Sequence, residues 1–164
     1  MREIRRILVP VDFSECSRAA LECAILLAER LGGSVDVLHV WDIPHYVGPE
    51  FLIREPGETG HPLQKTALAQ AETQMDEFLS GFQRERERFR VRFDSGKPYE
   101  TIIKVADDEH FDAIVMGTHG RSGLQHLVLG SVAEKVVRTA SCPVMTIRQP
   151  EGALEVVGVL GPPS

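Results

Sequence analysis

No apolar run in this chain approaches the roughly 20 residues needed to cross a bilayer, so a membrane-inserted protein is not expected. Basic residues are also in the minority: 18 Lys and Arg stand against 24 Asp and Glu, a net charge of -6. Duplex affinity is made largely by Lys and Arg neutralising phosphates, so nucleic acid is not expected as a partner. The one basic segment, "RERERFRVR", is interleaved with Glu and reads as a solvated helix end. Cysteine is scarce, with three residues and no CxxC. Cys16 and Cys23 fall on one predicted helix, about 10 Å apart along its axis and too far for a disulfide. With Cys142 they read as buried or free thiols of a reducing compartment. Neither a Cys/His zinc pattern nor a GxSxG nucleophile elbow occurs. His45 and His61 have Glu50, Glu55 and Glu58 nearby but no metal-ligand spacing, so no metal ligands are assigned, and no catalytic residue either.

The start, "MREIRRILVPVD", is basic and then apolar, but Pro10 and Asp12 interrupt it far short of a signal-peptide core. It reads as a first strand, and the cytoplasm is the expected location. A length of 164 residues with 43% hydrophobic and 26% charged composition fits one globular domain.

Short apolar runs alternate with helical periodicity along the chain. "RRILVPVD" and "SVDVLHVW" are strands flanking a helix on which Ala20, Leu21, Ala24, Leu27, Ala28 and Leu31 recur; Ser14 caps its start and Gly32 closes it. Proline- and glycine-rich residues 43–65 read as an excursion without a regular period. An amphipathic helix is expected from about Thr66 to Arg88, then the strand "FRVRF", a helix opened by Pro98, the strand "DAIVMG", a helix over "SVAEKVVRTA" and the strand "PVMTIR". The expected domain is 1–148, followed by a 149–164 tail whose "LEVVGVL" can add an edge strand or meet a partner. Five strands and four helices in alternation predict an α/β fold, a five-stranded parallel sheet covered on both faces. Such sheets bind ligands beyond the strands' carboxyl ends, where the strand order reverses.

One stretch carries a candidate site. Gly117, two residues, Gly120, nine residues, Gly130 and Ser131 connect the exit of an apolar strand to the start of a helix. Glycines let backbone N–H groups approach an anion, and a helix N-terminus adds unpaired donors and a positive dipole end. Ser131 adds a hydroxyl, and His119 and Arg121 add donors. This is not a P-loop, since no Lys follows Gly130. Asp12, at the end of the first strand, is positioned to accept from ribose hydroxyls, to help hold a metal ion, or to cap the next helix. On sequence alone Val40 is a core valine, and His39 an ordinary strand residue.

These residues resemble a known family. "ILVPVDFSECSRAAL", the strand ending in "LHV" and "DAIVMGTHGRSGLQHLVLGSVAEKVVRTASCPVMTIR" are similar in content and order to universal stress proteins of the ATP-binding type. The resemblance implies a Rossmann-like sheet in the order 3-2-1-4-5 and a site for ATP, with or without Mg2+. In it Pro10, Val11, Asp12 and Val40 hold the adenosine part; Met116, Gly117, His119, Gly120, Gly130, Ser131 and Val132 line the ribose and phosphates. It also implies a homodimer through the last strand, from Pro143 to Arg148, read as a sheet edge. The function expected is a nucleotide-dependent switch or interaction module of the stress response, with slow or no ATP hydrolysis and Ser131 and Ser122 as conceivable phosphate acceptors. The alternatives are a true ATP hydrolase or phosphotransferase organised by Asp12, and a dimeric partner-binding module that needs no nucleotide.

Overall fold

Short runs of Ile, Leu and Val bounded by polar turns make each central strand, and the helices carry an apolar face to cover them. The computed structural model describes residues 3–42, 52–53, 61–119, 129–148 and 155–160. Along the chain come β1 (Arg6–Pro10), α1 (Glu15–Leu31), β2 (Ser34–Trp41), α2 (Leu63–Leu79), β3 (Phe89–Ser95), α3 (Pro98–Asp108), β4 (Ala113–Gly117), α4 (Ser131–Thr139), β5 (Val144–Arg148) and β6 (Glu155–Leu160). Strands β1 to β5 are parallel in the order 3-2-1-4-5, the predicted fold.

Alternation along β1 divides the core. Ile7 and Val9 pack with Ala20, Leu21 and Ala24 of α1 and Met75 and Phe78 of α2. Leu8 turns the other way, toward Ile102 and Val105 of α3 and Val136 of α4. Successive strand residues point to opposite faces, so both faces of this sheet are apolar. The caps of α1 are those expected: Ser14 accepts from the Ser17 N–H, and Gly32, at φ 66, closes the helix in the left-handed region.

A charged cluster ties α3 back to the sheet. Arg92 of β3 donates to buried Asp36 of β2 at 3.2 Å and also pairs with Glu109, the C-cap residue of α3. The hydrogen bond to Glu109 is the main cause that raises the Arg92 pKa, and the bond to Arg92 is the main cause that holds the Glu109 carboxyl below its ordinary value. The three cysteines are free thiols; burial pushes those of Cys23 and Cys142 up, away from the reactive thiolate.

Three expectations need correction. The helix expected to reach Arg88 is α-helical only to Leu79; Ser80–Arg88 continues as a 3-10 segment with a break at Phe82, because Ser80 and Gly81 are poor helix formers. At its other end α2 begins at Leu63, within the expected 43–65 excursion; the described remainder of that stretch includes Leu52–Ile53 paired antiparallel with His61–Pro62. Finally, β5 is not the edge of the sheet. Strand β6, from the tail, runs antiparallel along it from Val144↔Leu160 to Arg148↔Glu155, with an irregularity at Thr146/Ile147. The tail thereby satisfies the backbone groups that an open β5 would leave unpaired.

Candidate functional site

A crevice opens between β1 and β4 for a reason visible in the residues. The β1–β2 ladder runs to Pro10↔Leu38, whereas β1–β4 pairing stops at Leu8↔Ile114. The Val11 N–H donates to the Leu38 carbonyl of β2 at 2.8 Å, so Pro10, one residue earlier, faces β4, where it has no N–H to give. Beyond that point the strands part. This is also where the strand order reverses, since the chain builds outward from β1 to β3 and then returns to β1's other side with β4.

A cavity of about 240 Å³ occupies the opening. Pro10, Val11 and Asp12 from the end of β1 and Val40 from β2 line one part of it. Met116, Gly117 and His119 from the exit of β4 meet Gly130, Ser131 and Val132 from the start of α4 in the other. Ten of the twelve candidate residues therefore share one cavity; Gly120 and Arg121 lie outside the described residues, as does Ser122.

Sequence reasoning left several lining residues unnamed. Leu38, Pro98 and Ile102 add an apolar wall, and Ser17 and Thr118 add hydroxyls. Thr118 is fully buried: its N–H donates to Ile147 of β5 at 2.8 Å, its carbonyl accepts from the Gly130 N–H at 2.7 Å, and its hydroxyl lies 3.0 Å from His119 Nδ1. This threonine thus joins the two glycine positions and orients the histidine between them. No spacing rule singles out such a residue, because its partners come from distant strands and loops.

The glycines do two different things. A Cβ on Gly117 would lie 2.7 Å from Cys16 Cβ and 2.9 Å from its carbonyl carbon, so Gly117 is required by the approach of β4 to the first turn of α1. Gly130 is the N-cap of α4 and has no side chain to offer that helix. Among the described residues, no acceptor takes the N–H groups of Ser131, Val132 or Ala133. Unpaired donors at the positive end of a helix dipole therefore open into the cavity.

Asp12 sits opposite. Its Oδ1 accepts from the Ser14 N–H at 3.1 Å, from the Ser14 hydroxyl at 2.6 Å and from the Ser17 hydroxyl. The cap of α1 is Ser14 and not Asp12; the Asp12 carboxylate accepts from the cap residue and from Ser17, which ties the end of β1 to the start of α1. His39 is more than a strand residue: Nδ1 donates to the Val11 carbonyl at 2.9 Å, and its ring stacks on Phe13 at 4.3 Å. Phe13 is a non-glycine residue at φ 67, so the turn after β1 is strained and braced from β2. Among the described residues no group of three His, Cys, Asp or Glu could hold a metal ion, and no helix is long and apolar enough to cross a membrane.

The model of the universal stress protein family matches residues 3–148. The chain belongs to that family. A universal stress protein of Methanocaldococcus jannaschii, MJ0531, is 31% identical over 151 residues, covering 90% of this chain and 84% of the relative. The solved structure of hypothetical protein MJ0577 superposes with a TM-score of 0.69 at 26% identity, covering 92% of this chain and all of the other. A universal stress protein of Archaeoglobus fulgidus, solved with dAMP, shares the fold with a TM-score of 0.59 at 22% identity, over 88% of this chain and 98% of its own.

Proposed function

We propose that this universal stress protein binds an adenine nucleotide, ATP among them, in the crevice between β1 and β4, and acts as a nucleotide-dependent switch or interaction module of the stress response. The observation that carries the reading is the uncapped N-terminus of α4 opening into the same cavity as the exit of β4 and Asp12. Ser131 and Val132 would hold phosphate oxygens through their N–H groups, with His119 also lining the cavity; Gly120 and Arg121, outside the described residues, complete the proposed set. Pro10, Val11, Asp12 and Val40 would hold the adenosine part, the base lying against Leu38, Pro98, Ile102 and Met116. Support also comes from the Archaeoglobus fulgidus protein solved with dAMP, which has this fold.

Hydrolysis is slow or absent on this reading. One oxygen of Asp12 already accepts from Ser14 and Ser17, an arrangement that fixes a helix start rather than one that activates water. Any magnesium would arrive on the phosphates, since the described residues offer no ligand cluster. The reading assigns the protein to the cytoplasm, in keeping with three free thiols. It includes a homodimer, which can run through Pro143 to Arg148 only once β6 has left the outer side of β5.

Calorimetric titration of the nucleotide-stripped protein with ATP, AMP and cyclic AMP, with and without magnesium, tests the site. Saturable binding is expected, weakened by Ser131→Pro, which removes a first-turn N–H at a position where proline suits the helix. A folded protein that takes up none of these ligands would falsify the reading.

A further inference from the structure

Ser17 is the third residue of α1 and is 3% exposed, yet it lines the cavity. Its hydroxyl grips Asp12 at two points: it donates to Oδ1 and accepts from the Asp12 N–H at 3.1 Å. One proton and two lone pairs suffice for both. Ser14 joins them, donating to the same Oδ1 at 2.6 Å, lying 3.1 Å from the Ser17 hydroxyl and accepting from the Ser17 N–H at 3.2 Å.

Capping does not explain Ser17. Ser14 alone supplies the N-cap bond, and an alanine at the third helical position would serve the helix as well or better. A hydroxyl this close to a helix start commonly bonds within its own turn; that of Ser17 instead reaches back across the turn to both the backbone and the carboxylate of Asp12. Holding the two together leaves the carboxylate one direction, and burial keeps water from competing for the bonds.

We infer that Ser17 is a positioning residue, holding Asp12 at the angle from which its carboxylate reads the sugar hydroxyls of a bound nucleotide. The inference rests on the nucleotide reading above, and goes beyond it by naming a residue that touches the ligand's recognition only through another. Its consequence is selective: loss of the Ser17 hydroxyl weakens recognition of the ribose but not of the phosphates, which on this reading are held by the N–H groups of α4 and not by Asp12.

The test compares ATP, 2′,3′-dideoxy-ATP and inorganic triphosphate by calorimetry on the wild type, Ser17→Ala, Asp12→Ala and the double variant. The wild type should prefer ATP over the dideoxy analogue. Ser17→Ala should lower ATP affinity about tenfold, the scale of one well-placed hydrogen bond to a charged group, with little change for the other two ligands. In the Asp12→Ala background the Ser17 substitution should have no further effect on the ratio of ATP to dideoxy-ATP affinity, because residues acting through one another are not additive. Ser17→Cys, which keeps the volume with a weaker donor, carries the same expectation if Ser17→Ala does not fold. An unchanged ratio in Ser17→Ala, or equal losses for all three ligands, would overturn the inference while leaving the nucleotide site standing. A wild type that does not distinguish ATP from its dideoxy analogue would also overturn it. A folded wild type that binds neither nucleotide removes the site itself, a result recognisable before any variant is made.

Discussion

The Gly130 N–H donates to the Thr118 carbonyl at 2.7 Å, closing the segment between the exit of β4 and the start of α4 at its base. One glycine donor of the expected phosphate pattern is therefore already engaged, and on the proposed reading the donors left for an anion on this side are the N–H groups of Ser131, Val132 and Ala133 at the first turn of α4. The other glycine is equally constrained, by Cys16. A motif of spaced glycines thus works here mainly by letting two loops and a helix start come close enough to share one cavity.

Gly117→Ala should destabilise the protein whether or not a nucleotide binds. The added methyl meets the Cβ and backbone of Cys16, and backbone cannot move aside as a flexible side chain can. Overpacking of this kind costs about 1–3 kcal/mol, measurable by urea denaturation without ligand. A larger substitution such as Gly117→Asp would combine this clash with charge repulsion. Loss of binding in that variant would not by itself identify a phosphate contact.

Arg92→Met should destabilise by about 1.5–3 kcal/mol, the scale of a lost hydrogen bond to a charged group, because it strands the buried carboxylate of Asp36. The same variant should change the response to acid. In the wild type Glu109 titrates below its ordinary value owing to Arg92, so its contribution is present above the unfolded carboxyl pKa and is lost as pH falls through the lowered folded value. Unfolding free energy followed from neutral pH into the acid range should therefore fall more steeply in the wild type than in Arg92→Met. Parallel curves would remove Arg92 from that role.

The architecture was legible because its signals are local. Each central strand is a run of apolar residues, Ser14 and Gly32 bracket α1, and the alternation of elements gives a parallel sheet, while its change of order at β1 is what the family resemblance implies. Pro10 is a sequence signal for the crevice, since the missing N–H ends the ladder to β4. What stayed hidden depends on distant partners. Ser17 reads as one more small residue of a helix until its hydroxyl is seen on Asp12, Thr118 until Ile147 and Gly130 meet it, and His39 until it bonds to Val11 under Phe13. Strand β6 was open to two readings because Gly158 and the flanking prolines and glycines weaken its strand pattern, and only pairing with β5 decides between them.

Trp41 makes the site observable without a label. It is the single tryptophan of the chain and follows Val40, which lines the cavity. Its indole Nε1 is buried and has no hydrogen-bond partner among the described residues, and its ring packs 6.5 Å from that of Phe93. An indole held this way responds to small changes at the end of β2, so ATP should produce a saturable change in intrinsic fluorescence with the midpoint found by calorimetry. Trp41→Phe should abolish the signal and leave the calorimetric affinity unchanged; a signal that rises linearly without saturation would mean that the indole does not report on the crevice.

Ending the chain after Arg148 should increase self-association. With β6 in place the outer side of β5 is paired over its whole length, and two copies cannot meet there without breaking that ladder first. Removing 149–164 leaves the five residues of β5 as open backbone at that edge of the sheet, and a second copy, related by a twofold axis, can supply an antiparallel partner of the same kind that β6 supplied. Sedimentation equilibrium of the full chain and the shortened one, at matched concentrations, measures the difference. Tighter dimerisation of the shortened chain is expected if β6 and the second copy compete for one edge. Equal dimerisation by both would mean that the interface lies elsewhere or that β6 itself serves as the paired edge, and a charged substitution at Val157 in the full chain would separate those two cases.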